Sequence, residues 1–409
     1  VLKAAALSPE QVRMFIVSDP DLNAFVAGGS NIFLHTGLMV ETETPEMLLG
    51  VIAHETGHIT GGHLIRADAF LEKAQAGSIL TYLLGAAAIA GGGGEVGAAI
   101  LTGAMHTSNQ ALLRYTRSNE QAADQAALGF LDTAGITAEG MLMMFERLRR
   151  EEKQHVGVNQ DVYARTHPLS SERIAHMRAH LKASSKQAKL SPALHQWHQR
   201  VRAKLVGFLS ERTDVMGRYP RTDTSVPAHI ARAVMHSNAS EKSEALREVE
   251  AALKVEPNNA YLHELRGHIL FKAGEMEASA SAYRKAVVHA PNSPVLLSDA
   301  ARPLVALATS EALAEAKALL QLTTSKDPTY GQSWQLLAQV YGKTGDLGMA
   351  ELALAELAAL NSNSEELRRH LARTEGKLDP YSPAALRAED LRRFAKQLEK
   401  KEEEAPSPF

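Results

Sequence analysis

His54, Glu55 and His58 are the residues whose types and spacing could do chemistry, within the run LLGVIAHETGHITGGHL over 48–64. On an α-helix, residues i and i+4 stand one above the other, so His54 and His58 can turn imidazole nitrogens toward one metal ion. Glu55 points in an adjacent direction, where it can act on water beside the metal without ligating it. The chemistry implied is metal-assisted hydrolysis. Catalytic zinc takes three protein ligands and leaves a fourth position open, so two histidines are one ligand short.

Two residues compete for the third place. His63 is one, because HETGHITGGH is similar to the metzincin pattern HExxHxxGxxH, including its glycine. In that pattern the last histidine comes six residues after the second; here His63 comes five after His58. The glycine turn has a fixed length, so a missing residue misdirects the ring, and no Met-turn is identifiable downstream. By this reasoning His63 is a polar residue just beyond the helix end. Glu120 is the other candidate, in RSNEQAADQAALGF. Glu120 and Asp124 share one helical face, so Glu120 could ligate the metal while Asp124 accepts the N–H of a ligating histidine and fixes its tautomer. A solvated acidic face would look the same. The apolar run QAALGFL after the pair favours a helix at least half buried.

These residues need elements to hold them. Thr44 can cap a helix that starts with Pro45 and ends at Gly61-Gly62, which puts HETGH on its last turns. Before it, LNAFVAGGSNIFLHTGL (22–38) reads as a β-hairpin around a Gly-Gly-Ser-Asn turn. Such a ribbon could offer an edge strand to an extended substrate. Helical pattern follows at 108–134 and 138–155, then a loop, then a helix from Ser170. His167 precedes Pro168 and so sits in extended chain. Residues 77–105, GSILTYLLGAAAIAGGGGEVGAAILTGAM, read as two short apolar helices joined by a glycine turn. They are too short to cross about 30 Å of hydrocarbon, and suit a cover over the site or a peripheral contact with a membrane or partner.

Residues 186–193 are polar and read as a linker between a domain over 1–185 and a helical domain over 194–378. In the second, Pro257 and Pro291 are 34 residues apart, and so are Pro328 and Ser362. That is the period of the tetratricopeptide repeat, a helix–turn–helix unit. The copy over 327–364 carries Trp334, Leu337, Ala338, Tyr341, Gly345 and Ala350. A unit over 294–325 is lengthened by about three residues. Runs at 194–210 and 227–255 extend the stack at its front. Its concave face suits docking of a partner or substrate. His263, His268, His195 and His198 read as amphipathic-face residues. Residues 379–409, ending KQLEKKEEEAPSPF, read as a solvated charged helix fading into disorder.

The order AFVAGGSNIFLHTGL, HETGH, NEQAAD, THPLSSERI and then tetratricopeptide repeats resembles the M48 metallopeptidases, and among them the periplasmic β-barrel assembly-enhancing group. The resemblance covers nearly the whole chain. It implies an α+β fold: a mostly helical zincin-like metallopeptidase domain with a small β-ribbon, followed by an α-solenoid. It implies one Zn2+ per chain on His54, His58 and Glu120, with Glu55 as catalytic base. In that group the His-Pro segment lies near the metal, which would make His167 a fourth ligand or gate. His167 and Arg173 are the candidates for stabilising an oxyanion. The implied activity is cleavage of unfolded or misassembled proteins in the envelope, with the outer-membrane protein assembly machinery as partner and the periplasm as location. The rival expectation is a repeat-based chaperone or scaffold whose protease site is plugged or silent.

Bulk composition is compatible with this. Of 409 residues, 45% are hydrophobic and 22% charged, with 44 Lys+Arg against 47 Asp+Glu. There is no basic surplus to bind nucleic acid. With no cysteine, both disulfides and Cys-based zinc sites are excluded. The chain starts without Met and reads as a processed or truncated product, any signal peptide lying upstream.

Overall fold

The computed structural model describes residues 1–63, 66, 117–154, 167, 170–184 and 190–404; the apolar segment 77–105 lies outside them. The chain divides into two compact units, Val1–Leu209 and Ser210–Phe409.

In the first unit, the expected hairpin forms from β2 (Ala24–Ala27) and β3 (Asn31–His35), antiparallel with Ala24 opposite Leu34 and Ala27 opposite Asn31. Gly28 and Gly29 make the turn with φ of 56° and 92°, a region closed to most side chains. A third strand, β1 (Arg13–Val17), pairs parallel with β3 and gives the order β1-β3-β2. A parallel partner arrives by a non-local connection and leaves no turn signal, so the sequence offers no hairpin cue for it.

Helix α1 (Thr36–Glu41) leads into α2 (Pro45–Thr60), which starts as expected: Thr44 Oγ1 accepts from the Met47 N–H at 3.4 Å and Pro45 takes the first turn. Next come α3 (117–134), α4 (Glu139–Gln154) and α5 (Ser171–Ala183), the last capped by Ser170 Oγ on the Arg173 N–H at 3.2 Å. Val51 and Ala53 of α2 share one core with Ala127, Leu128 and Leu131 of α3 and Met141, Met144, Phe145 and Leu148 of α4. Two glycines of α2 set the approach of its neighbours. A Cβ on Gly50 would lie 2.7 Å from Met141 Cα, and one on Gly57 would lie 2.6 Å from the Ala123 carbonyl oxygen. Both are closer than atoms pack, so helix–helix contact here requires glycine.

Helix α6 (Pro192–Leu209), expected at the front of the repeat stack, belongs to the first unit. Arg202 Nε donates to the Val40 carbonyl at 2.7 Å, His195 Nε2 lies 3.0 Å from Glu46, and His198 Nε2 lies 3.4 Å from Thr42 Oγ1. An amphipathic helix looks alike on either side of a linker; only its partners decide which core it joins.

The second unit is a run of helices: α7 (Arg212–Arg218), α8 (Val226–Asn238), α9 (Lys242–Val255), α10 (Ala260–Lys272), α11 (Met276–His289), α12 (Pro294–Leu307), α13 (Ser310–Lys326), α14 (Gly331–Lys343), α15 (Leu347–Leu360), α16 (Ser364–Arg373) and α17 (Pro383–Glu404). They pack in sequence as hairpins, α8 on α9, α10 on α11, α12 on α13 and α14 on α15. The lengthened unit is real: α13 has 17 residues where α9, α11 and α15 have 14. Gly274 and Gly345 make equivalent turns at φ of 80° and 81°. His263 fills the place of Trp334 two units earlier. His263 Nε2 lies 2.8 Å from the Pro257 carbonyl, as Trp334 Nε1 lies 2.8 Å from that of Pro328. Helix α17, expected as a solvated tail, instead buries Ala388, Leu391 and Ala395 against Leu352, Leu367 and Leu371. Its apolar positions recur at helical spacing, which seals the end of the stack; residues 405–409 lie outside the described chain.

Candidate metal centre

Helix α2 presents His54 and His58 from one face, with His54 fully buried. Helix α3 crosses at Gly57 and brings Glu120, 2% exposed, against them. His54 Nε2 stands 3.1 Å from His58 Nε2 and 3.3 Å from Glu120 Oε2; His58 Nε2 stands 3.3 Å from Glu120 Oε1. His167 Nδ1 adds a fourth donor, 3.3 Å from His54 Nε2 and 3.2 Å from both Glu120 oxygens. One ligand atom from each of the four residues lies within 4.8 Å of the others. A tetrahedral ion with ligands at about 2.0–2.1 Å separates its donor atoms by about 3.3 Å. Three imidazole nitrogens and a carboxylate at these spacings therefore fit a metal ion.

The outer partners of the two α2 histidines differ. His54 Nδ1 is 3.0 Å from Asp124 Oδ1, though among the described residues it meets no partner with hydrogen-bond geometry. Asp124 is held in turn by Arg173, whose Nε and Nη2 donate to it at 2.6 and 2.8 Å. Arg173 Nη1 lies 3.0 Å from Glu120 Oε2, and its guanidinium lies over the Phe145 ring at 4.9 Å. Arg173, an oxyanion candidate from sequence, thus spends its fork on the carboxylates behind the donor set. The i to i+49 separation of this pair left no signal except that Arg173 follows the Ser170 cap. His58 Nδ1 lies 2.9 Å from His63 Nδ1, so His63 meets the nitrogen of His58 that points away from the other donors. His63 is 5% exposed, a buried neighbour of the site where sequence reasoning set a polar residue beyond the helix.

Electrostatics follow from this packing. Burial alone would lower His54, but the Asp124 and Glu120 carboxylates close beside it outweigh that and raise it to about 10. Burial lowers His58 to about 4. Burial would raise the Glu120 carboxyl, yet the three histidines around it hold it well below the usual carboxylate range. Asp124 is lowered too, Arg173 and His54 prevailing over burial. Glu55 is different. It is 1% exposed, neither carboxylate oxygen has a hydrogen-bond partner among the described residues, and burial raises its pKa. Its Oε1 lies 3.6 Å from His167 Nε2. A carboxylate desolvated in this way is a stronger base than one in water.

Comparison with known proteins agrees with the geometry. Residues 1–181 match the model of Peptidase family M48, and residues 331–364 match a tetratricopeptide repeat. The chain is 26% identical over 374 residues to the Beta-barrel assembly-enhancing protease of Escherichia coli (strain K12), covering 89% of this chain and 70% of that one. Identity to the Yersinia pestis protein of the same name is 25% over 368 residues, covering 85% and 71%. The Mitochondrial metalloendopeptidase OMA1 of Schizosaccharomyces pombe is 26% identical over 196 residues, 48% of this chain and 54% of that one. Residues 1–181 are thus a domain of the M48 metallopeptidase family, joined in one chain to tetratricopeptide repeats.

Proposed function

We propose that this chain is a zinc-dependent endopeptidase that cleaves unfolded or misassembled proteins in the bacterial periplasm, in the service of outer-membrane protein assembly. The observation that carries the reading is the convergence of His54, His58 and Glu120 beside a buried Glu55 carboxylate with no hydrogen-bond partner among the described residues. His54, His58 and Glu120 would hold the ion, with Asp124 orienting His54. Bound zinc is a Lewis acid that polarises a carbonyl and acidifies water. Glu55 would take a proton from the attacking water beside the donor set and return it to the leaving amine. The repeats offer a surface for protein partners, and the relatives' names point to assembly of β-barrel proteins. Envelope location rests on the same relatives.

A second reading has its own support. His167 stands among the donors and beside Glu55, where a substrate would have to enter. A chain with His167 in that place is a plugged protease, active when His167 leaves the donor set and a repeat scaffold otherwise.

Elemental analysis and cleavage of unfolded casein test both. Wild type is expected to hold one zinc per chain, Glu120→Gln to lose it, and Glu55→Gln to keep it without cleaving. His167→Ala is expected to keep zinc and to cleave at least as fast as wild type. A His167→Ala chain that holds zinc and cuts nothing sinks the peptidase reading.

A further inference from the structure

We propose that His63 is a positioning residue for the metal centre: it accepts a hydrogen bond from Nδ1–H of His58 and so holds His58 in the tautomer whose Nε2 can bind a metal. The inference rests on the reading of His54, His58 and Glu120 as ligands. Two facts carry it. The contact joins Nδ1 of His58 to Nδ1 of His63 at 2.9 Å, while His58 Nε2 is the nitrogen turned to His54 and Glu120. The backbone is also built around the His63 ring. A Cβ on Gly61 would lie 2.4 Å from His63 Nε2, and Gly62 turns the chain back at φ of 60°.

An N···N contact of this length holds one proton. If His63 supplied it, His58 would carry its own proton on Nε2 and could not bind a metal through that atom. If His58 supplies it, Nε2 keeps its lone pair and His63 carries its proton on Nε2. Ligation of His58 therefore requires His63 to be the acceptor. The two α2 histidines are oriented by different means: His54 by a carboxylate backed by Arg173, and His58 by a neutral imidazole. A missing outer partner typically lowers metal affinity by about 10- to 100-fold.

The test compares zinc affinity, by competition with a chromophoric chelator, in wild type, His63→Leu, His63→Asn and Glu120→Gln. His63→Leu fills the space without an acceptor and is expected to bind zinc about 10- to 100-fold more weakly. His63→Asn puts a carbonyl oxygen near the former Nδ1 and is expected to recover most of that loss. Cobalt-loaded His63→Leu at saturation should keep the wild-type visible spectrum, since no ligand has changed. Wild-type affinity in a folded His63→Leu overturns the inference, and so does a changed cobalt spectrum, which would make His63 a ligand. Glu120→Gln keeps the two readings apart: if it binds zinc like wild type, the ligand set itself is wrong. Long-range 1H–15N spectra of zinc-loaded wild type need no variant. They should show the proton on His58 Nδ1 and none on His63 Nδ1, and the reverse assignment overturns the inference.

Discussion

Gly57 is the residue of HETGH with no side chain to offer, yet Gly57→Ala is expected to damage the metal centre. A Cβ there would meet the Ala123 carbonyl oxygen at 2.6 Å and Ala123 Cα at 2.9 Å, both backbone atoms of α3. Ordinary contact starts at 3.4 Å, so α2 and α3 must part by roughly 0.8 Å at the crossing. His54 and His58 ride on α2 and Glu120 on α3, one turn from the contact. Metal–ligand distances tolerate only about 0.2 Å. The separation therefore exceeds what the donor set can absorb unless the helices tilt. Overpacking of this kind costs about 1–3 kcal/mol. At about 2 kcal/mol, a unit of this size melts about 4–8 °C lower. Calorimetry of metal-free wild type and Gly57→Ala gives the first number, and zinc competition gives the second, expected as a loss of at least tenfold. A variant that melts with wild type and binds zinc equally would show that the helices slide past the added methyl and that the close crossing does not set the donor spacing.

Two further outcomes follow from named contacts. Arg173→Lys is expected to weaken zinc binding almost as much as Arg173→Met, because one ammonium cannot copy the three contacts the guanidinium makes with Asp124 and Glu120. Removing the charge takes the buried guanidinium away from two buried carboxylates that keep only histidine partners, at a cost of up to about 3–5 kcal/mol in unfolding by urea; full stability in Arg173→Met would refute this. In the second unit, burial would raise the Glu248 carboxyl, but bonds from Arg232 and His229 prevail and hold it below its ordinary value. A carboxyl lowered on folding adds stability that is present above its unfolded pKa and lost as pH falls through the folded one. The stability gap between wild type and Glu248→Gln should therefore narrow as pH drops from about 5 to 3; a gap independent of pH would show that this network is not what Glu248 contributes.

What the sequence determined by itself was everything with a local cause. Thr44, Pro45 and Gly61 bound α2 because caps act within one turn, and the four-residue spacing put His54 and His58 on one face. The 34-residue period named the repeat, and even the three extra residues of α13 could be counted. Glu120 and Asp124 were visible as a pair on one helix. Tertiary structure decided which of these local pieces meet. Only the packing of α3 against Gly57 brings Glu120 to the histidines across more than 60 residues of chain. Arg173 became the brace of Asp124 because α5 lands beside α3. Helix α6 joined the first unit because its partners, Val40, Thr42 and Glu46, are there. His63 shows the divide most clearly. Its spacing spoke against a ligand, but that it sits on the far nitrogen of His58 depends on a glycine turn whose direction no pattern of residue types records. Periodicity and capping are written in neighbouring residues; contact between distant ones is fixed by how buried surfaces fit, and that is a property of the folded chain.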